Sequence, residues 1–218
     1  MPFTAKSGKF NASINTVEFG TGDKAVKIGG ENVFPLYSFD AAIENAPKVG
    51  IEITDFGMEH EPECIKKYYE GCATLADMAR KAASMEGVDF LSFRMEGGDP
   101  NGANKSTEEL IGELKEIADA VDLPLVVCGC KNVEKDAELF SKAAEALNGK
   151  NAVILSAKEE NYKTVGAAAG LAYKQIVGAE SAVDINLAKQ LNVLISQLGV
   201  DSKSVVMNVG SAAVGYGF

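Results

Sequence analysis

The residues of this chain that could do chemistry are few, and they lie in short polar clusters. Cys128 and Cys130 stand two apart in Leu125-Val-Val-Cys-Gly-Cys130, a spacing that on an extended strand turns both side chains to one face. Two such thiols could hold a soft metal. An iron–sulfur cluster takes four cysteines, however, and Cys64 and Cys72 lack ferredoxin-like spacing. Core packing accounts for the pair, and no metal site is expected. His60 is the only histidine, which removes multi-histidine zinc sites and any catalytic triad not built on it. In Glu59-His-Glu-Pro62 it reads as an exposed residue at a helix entry.

Lys131 and Lys158 raise the idea of a Schiff-base aldolase. Such a lysine needs an apolar setting to lower its pKa, and Glu159 and Glu160 beside Lys158 act the other way. Solvated loop charge is the better reading. In Glu96-Gly-Gly-Asp-Pro-Asn-Gly102 the glycines would let backbone N–H groups approach a ligand, with Asp99 and Asn101 supplying polar groups. A plain turn ahead of a helix cap at Ser106 explains the same residues. Asp184 and Asn186, together with Asn208, are side chains of the kind that read the edge of a pterin ring. Capping of a helix by Asn186 is the alternative. Gly210–Gly217 has the glycine spacing of a phosphate loop, but Tyr216 and Gly217 replace its lysine and hydroxyl residue, so nucleotide binding there is rejected.

What positions these clusters is a repeated unit. Six strand-like runs, Ile51–Thr54, Val88–Arg94, Leu125–Cys130, Ala152–Ser156, Ser181–Ile185 and Ser204–Val209, each end in polar residues, and all but the last precede a helix pattern. Continuous apolar strands alternating with helices imply a parallel sheet with right-handed crossovers. Ligands then sit beyond the carboxyl ends of the strands, so the polar clusters mark the working face. Ser106 and Glu109 have capping-box spacing ahead of Leu110, Ile111, Leu114, Ile117, Ala118 and Val121. Val133, Ala137, Phe140, Ala144 and Leu147 form a second stripe, stopped by Asn148-Gly149, and Leu187, Leu191, Leu194, Ile195 and Leu198 a third. A helix from Pro62 to about Met85 is expected to break at Gly71. Residues 1–35 differ: Val17 and Phe19, then Val26 and Ile28, flank Gly20–Asp23 as in a hairpin, expected to plug the bottom of a barrel. The fold class expected is α/β, a TIM (β/α)8-type barrel over residues 36–218, truncated after about six βα units because only Gly210–Phe218 follows the sixth run.

At 218 residues and 46% hydrophobic content the chain can bury one substantial core. A net charge of −10 repels phosphate backbones, so nucleic acid is not an expected partner. No apolar run approaches the roughly 20 residues that span a bilayer, and no signal-peptide stretch opens the chain, so no membrane association and a cytoplasmic location are expected.

Several stretches carry a resemblance. Phe10-Asn-Ala-Ser-Ile14, the segment Val17–Asp40, Asp89-Phe-Leu-Ser-Phe-Arg-Met-Glu-Gly-Gly-Asp-Pro-Asn101, Pro124–Cys130, Asn151–Ala157 and Met207–Phe218 resemble the small subunit of the corrinoid iron–sulfur protein, also called the delta subunit of the acetyl-CoA decarbonylase/synthase complex. The likeness runs through essentially the whole chain. It implies a TIM-barrel subunit that pairs as a heterodimer with a large (gamma) subunit bearing the corrinoid and a [4Fe–4S] cluster, and that meets acetyl-CoA synthase and a methyltransferase transiently. It further implies methyl-group carriage from methyltetrahydrofolate, or methyltetrahydrosarcinapterin, in the reductive acetyl-CoA pathway of anaerobes. The chemistry would then belong to cobalt, with this chain shielding it and carrying no catalytic residue of its own. The absence of the Asp-x-His-x-x-Gly pattern of a self-sufficient cobalamin module agrees, since Met58 and Glu63 flank His60 where the aspartate and glycine would be. Under this resemblance the corrinoid contacts are expected from strand-end residues, namely Arg94, Asp99, Asn101, Asp184, Asn186 and Asn208. The competing expectation is a pterin-dependent methyltetrahydrofolate:corrinoid methyltransferase on the same barrel, using Asp184, Asn186 and Asn208.

Overall fold

A computed structural model describes residues 12–32 and 43–210. Strands β1 (Thr16–Phe19) and β2 (Val26–Gly29) form an antiparallel hairpin, with Val17 opposite Ile28 and Phe19 opposite Val26. The other six strands form one parallel sheet in sequential order: β3 (Gly50–Thr54), β4 (Phe90–Arg94), β5 (Leu125–Cys128), β6 (Val153–Ala157), β7 (Ile176–Glu180) and β8 (Val205–Asn208). Sequential order is what short right-handed crossovers produce. The crossovers carry α1 (Glu63–Tyr68), α2 (Leu75–Ala83), α3 (Thr107–Ala120), α4 (Val133–Ala146), the short α5 (Tyr162–Val165) running into a π-helical segment, Gly166–Ala172, and α6 (Ile185–Gln197). Among the described residues no helix is long and apolar enough to cross a membrane.

Each helix follows from local residues. Ser106 caps α3 by accepting from the Glu109 N–H at 3.1 Å, and Leu110, Ile111, Leu114, Ile117 and Ala118 are buried on one stripe. Phe140, Ala144 and Leu147 do the same for the second stripe. The expected helix from Pro62 to Met85 is two helices, because Gly71 takes a φ of 87° between α1 and α2.

Three expectations are corrected. The fifth strand is not Ser181–Ile185 but Ile176–Glu180. Ala182 and Val183 have φ values of 46° and 69°, incompatible with a strand, and Val183 and Ile185 are 64% and 61% exposed. Gly178 hid the true strand: it reads as an interruption, yet it is there because any side chain would strike Leu155 on β6. The helix cap is corrected with it, since Asp184 rather than Asn186 caps α6, accepting from the N–H groups of Asn186 and Leu187 at 2.8 and 3.1 Å. Nor do Cys128 and Cys130 share a face. The strand ends at Cys128, which packs with Val126 and Val153 on the hairpin side. Cys130 enters the core on the helix side with Leu139 and Phe140.

The sheet therefore has two unlike faces. One packs the helices through Leu91, Phe93, Val127, Ile154 and Val177. The other receives the hairpin, but only at the amino ends of the strands. Phe19 meets Phe90 edge-on at 5.7 Å. The Gly20 N–H donates to the Asn151 carbonyl at 2.7 Å, and Asn151 Nδ2 donates back to the Glu18 and Gly20 carbonyls. Residues 1–11 and 33–35 of the expected 1–35 segment lie outside the described residues. The carboxyl half of this face is left to polar side chains.

Two buried carboxylates hold the loops at that end. Asp55, just after β3, accepts the Gly97 N–H on both oxygens at 2.9 and 3.1 Å, and Lys105 Nζ lies 3.0 Å from it. Lys105 also donates to the Asp55 carbonyl at 2.9 Å and meets Glu113 at 3.2 Å. Burial pushes the Lys105 ammonium down, but its bonds to Asp55 and Glu113 more than reverse this and leave it raised. Burial likewise raises the Glu113 carboxyl. Asp136 in α4 does the same work for the loop after β5, taking the N–H groups of Cys130 and Lys131 at 2.7 and 3.1 Å. Gly97 and Gly129 are required, since a Cβ on either would overlap the carboxylate it faces. Removing one partner of a buried pair leaves the other uncompensated, at a cost of about 3–5 kcal/mol. Asp55→Ala in the full-length protein is therefore expected to lower the unfolding free energy by about that amount, whereas Ser106→Ala, the loss of one cap, costs about 1 kcal/mol. Urea unfolding followed by circular dichroism reads both, and equal effects would discount the Asp55 network.

Candidate functional site

Beyond the hairpin, at the carboxyl ends of β4 to β8, lies a recess of about 250 Å³ lined by Arg94, Cys128, Gly129, Lys131, Asp136, Leu155, Ser156, Lys158, Glu180 and Asn208. Strand geometry explains which side chains reach it. In β4 the inward positions are Phe90, Ser92 and Arg94, the first covered by the hairpin and the last at the open end. In β7, Glu180 is the last residue and half-buried. The pairing of β6 with β7 shifts between Leu155 and Ala157, leaving Ser156 out of register. A bulge of this kind re-aims side chains, and here Leu155 and Ser156 both line the recess. Lys131 reaches it from a left-handed backbone position, φ 72°, directly after the Cys128-Gly-Cys130 turn.

The charges are arranged unevenly. Glu52 on β3 holds Arg94 in a two-bond fork, Nε to Oε1 at 2.9 Å and Nη2 to Oε2 at 2.8 Å. That bond is the main reason the guanidinium pKa rises further, with burial opposing it. Asp136 has both oxygens engaged by the Cys130 and Lys131 N–H groups, and the Cys130 thiol adds a third contact at 3.2 Å. Burial raises its carboxyl. Lys158 and Glu180 stand 3.9 Å apart, too far for a good hydrogen bond. The two thiols are held in their neutral form. Burial raises Cys128 against the opposing bond from Ser92 Oγ at 3.5 Å, and burial, with Asp136 adding to it, pushes Cys130 up to about 11.

Of the six residues expected to contact a cofactor, Arg94 and Asn208 line this recess. The other four do not line it. Asp99 makes a local turn with the Asn101 N–H and Nδ2 at 2.9 and 3.2 Å. Asp184 is occupied as the α6 cap, and Asn186 is exposed in its first turn. Asp184, Asn186 and Asn208, expected together around a pterin, do not line one recess. Sequence reasoning missed Ser156, Glu180 and Glu52, and it set Lys131 and Lys158 aside as loop charge. Their signal was position, each lysine falling within a few residues after a strand. The Gly210–Gly217 loop lies, after its first residue, outside the described residues. His60 is exposed as expected, its ring 4.8 Å from that of Phe56.

The thiol pKa values make a direct prediction. A thiol at about 11 carries roughly 100-fold less reactive thiolate than an ordinary cysteine. In the native full-length protein at pH 8, iodoacetamide is expected to modify the exposed Cys64 and to spare Cys128 and Cys130 until denaturant is added. Peptide mass mapping checks this, and labelling of Cys130 at the rate of Cys64 would contradict it.

Comparison with known proteins places the chain in a family. A family model described as CO dehydrogenase/acetyl-CoA synthase delta subunit matches residues 16–218. The acetyl-CoA decarbonylase/synthase complex subunit delta of Methanothermobacter thermautotrophicus is 31% identical over 211 residues, covering 95% of this chain and 54% of that protein. The protein of the same description from Methanocaldococcus jannaschii is 31% identical over 217 residues, covering 96% and 53%. That of Archaeoglobus fulgidus is 30% identical over 203 residues, covering 91% and 44%. The chain thus spans about half the length of the curated relatives it matches. It is a member of the CO dehydrogenase/acetyl-CoA synthase delta subunit family.

Proposed function

We propose that this chain acts as a delta subunit of an acetyl-CoA decarbonylase/synthase complex, forming one wall over a corrinoid held mainly by a large (gamma) subunit. The observation that carries this reading is the recess itself. At about 250 Å³ it falls below the roughly 300–1,000 Å³ of pockets that enclose a small ligand. It is an open polar surface at the end of a parallel sheet where such folds bind their ligands. Its two thiols are protonated and so poor nucleophiles. Such a surface can position a ligand and exclude water from it, and has little means of transforming it.

In this reading the polar strand ends, Asn208 among them, face the rim of the macrocycle, while Arg94, fixed by Glu52, sets the height of the wall. A bound corrinoid supplies a cobalt that accepts and gives up a methyl group; the chain supplies shielding and orientation. The [4Fe–4S] cluster belongs to the partner only, acetyl-CoA synthase and a methyltransferase are transient partners, and the setting is the cytoplasm of an anaerobe. The sheet in turn is part of a TIM (β/α)8-type barrel. β3 and β8 each have one neighbour among the described strands. Each free edge lies against an apolar groove, one of about 410 Å³ lined by Ile51, Met58, Ile65 and Met78, the other of about 560 Å³ lined by Ile14, Ile28, Ala188 and Val206. Two further βα units would cover both.

The test uses the full-length protein co-expressed anaerobically with its gamma subunit. Arg94→Ala and Asn208→Ala are each expected to lower corrinoid retention or methyl-transfer rate by about ten-fold, the loss of one or two polar contacts. Unchanged loading and rate in both variants would overturn the wall. Methyl turnover by this protein without the gamma subunit would overturn the division of labour and favour a pterin-dependent methyltransferase.

A further inference from the structure

The recess holds more donors than acceptors with capacity to spare. Its acidic groups are largely engaged: Asp136 by two backbone N–H groups and a thiol, and Glu52, beside it, by the Arg94 fork. Glu180 alone keeps capacity, facing Lys158 at 3.9 Å. The donors are not so engaged. Among the described residues Lys131 Nζ has no carboxylate within 4.0 Å, and Ser156 Oγ, on a buried residue, makes no hydrogen bond. Asn208 uses its Oδ1 to accept the Gly210 N–H at 3.2 Å, which leaves its Nδ2 donors available. Lys131, Ser156, Lys158 and Asn208 come from the ends of β5, β6 and β8 and line one recess. Four donors from the ends of three strands match a tetrahedral group with several acceptor oxygens better than a planar carboxylate with two.

We infer that this recess is a subsite for a phosphoryl group, bound by Lys131, Ser156, Lys158 and Asn208. The inference rests on the reading of this face as the working face, and it adds the chemistry of what the face holds. Its volume of about 250 Å³ admits such a group. Glu180 is the element that opposes it: a carboxylate beside the lysines competes with an anion for Lys158. The phosphoryl group could be borne by the nucleotide tail of a complete cobamide or by a free phosphorylated metabolite, and the two sources are separable.

Equilibrium dialysis of the full-length protein against radiolabelled inorganic phosphate, at constant ionic strength, tests the site. Saturable binding is expected, weakened at least about ten-fold in Lys131→Gln and in Lys158→Gln, since each removes a charge-assisted bond. Glu180→Gln is expected to tighten it several-fold, an effect that damage to the fold would not produce. Lys142→Gln, on the exposed outer side of α4, serves as control and leaves binding unchanged. In the assembled complex, phosphate displacing a nucleotide-bearing cobamide but not cobinamide, which lacks the nucleotide tail, assigns the group to the cofactor. Phosphate binding that leaves both undisturbed assigns it to a free metabolite. Absence of saturable binding, or binding that ignores both lysine variants and Glu180→Gln, overturns the subsite. That result leaves the wall standing, because Arg94→Ala and Asn208→Ala are read on corrinoid loading instead.

Discussion

A parallel strand that ends must hand its chain to a loop whose N–H groups have lost their ladder partners, and here buried carboxylates take them. Asp55 receives the Gly97 N–H and Asp136 those of Cys130 and Lys131. An unpartnered buried donor costs about 1–3 kcal/mol, so each carboxylate decides where its loop can lie. Both need glycine opposite, because the carboxylate occupies the space a Cβ would take. Asp55 is itself neutralised by Lys105, which Glu113 shares. The polar face is thereby built on a second polar layer beneath it, which fixes where its loops lie.

The same layer explains the charge pattern of the recess. A carboxylate that accepts backbone N–H groups has little capacity left for a ligand. Asp136 lines the recess, yet its lone pairs point into the Cys130–Lys131 turn. A net charge of −10 on the whole chain therefore says little about this surface. Acids on the helices contribute to that charge, while the strand ends present lysine, serine and amide donors. Local hydrogen-bond capacity, and not net charge, sets the ligand chemistry at contact distance.

Much of the fold was legible in the sequence because buried parallel strands and amphipathic helices have strong periodic signatures. Five of the six strand runs overlap the observed strands, and the stripes of α3 and α4 are buried as their spacing predicts. The fifth run failed for a definite reason. Gly178 breaks the apolar pattern of the true strand, while Val183-Asp-Ile185 imitates one, though the latter is a left-handed turn leading into a capped helix. That error of five residues concealed Glu180, the one acid of the recess with capacity to spare. The site was harder to read, because membership depends on where each strand stops. Cys128 and Cys130 part company at the end of β5, and Ser156 enters by a register shift that no pattern of types announces.

The hairpin makes the division between the two ends physical. It covers Val126, Val153 and Ile176 at the amino half of the inner face and stops there. Gly20 meets Asn151 at a point where a side chain would collide with the Pro124 ring, so the hairpin cannot slide toward the carboxyl end without losing both its bond and its fit. The hairpin thus covers apolar side chains at the amino half of that face, and among the described residues the polar half is left uncovered. Arg94, Lys131, Lys158 and Asn208 line the recess at this end, with Leu155 the apolar side chain among them. In the proposed reading selectivity there would come from hydrogen bonds, so exchanging a single donor is expected to change recognition more than stability.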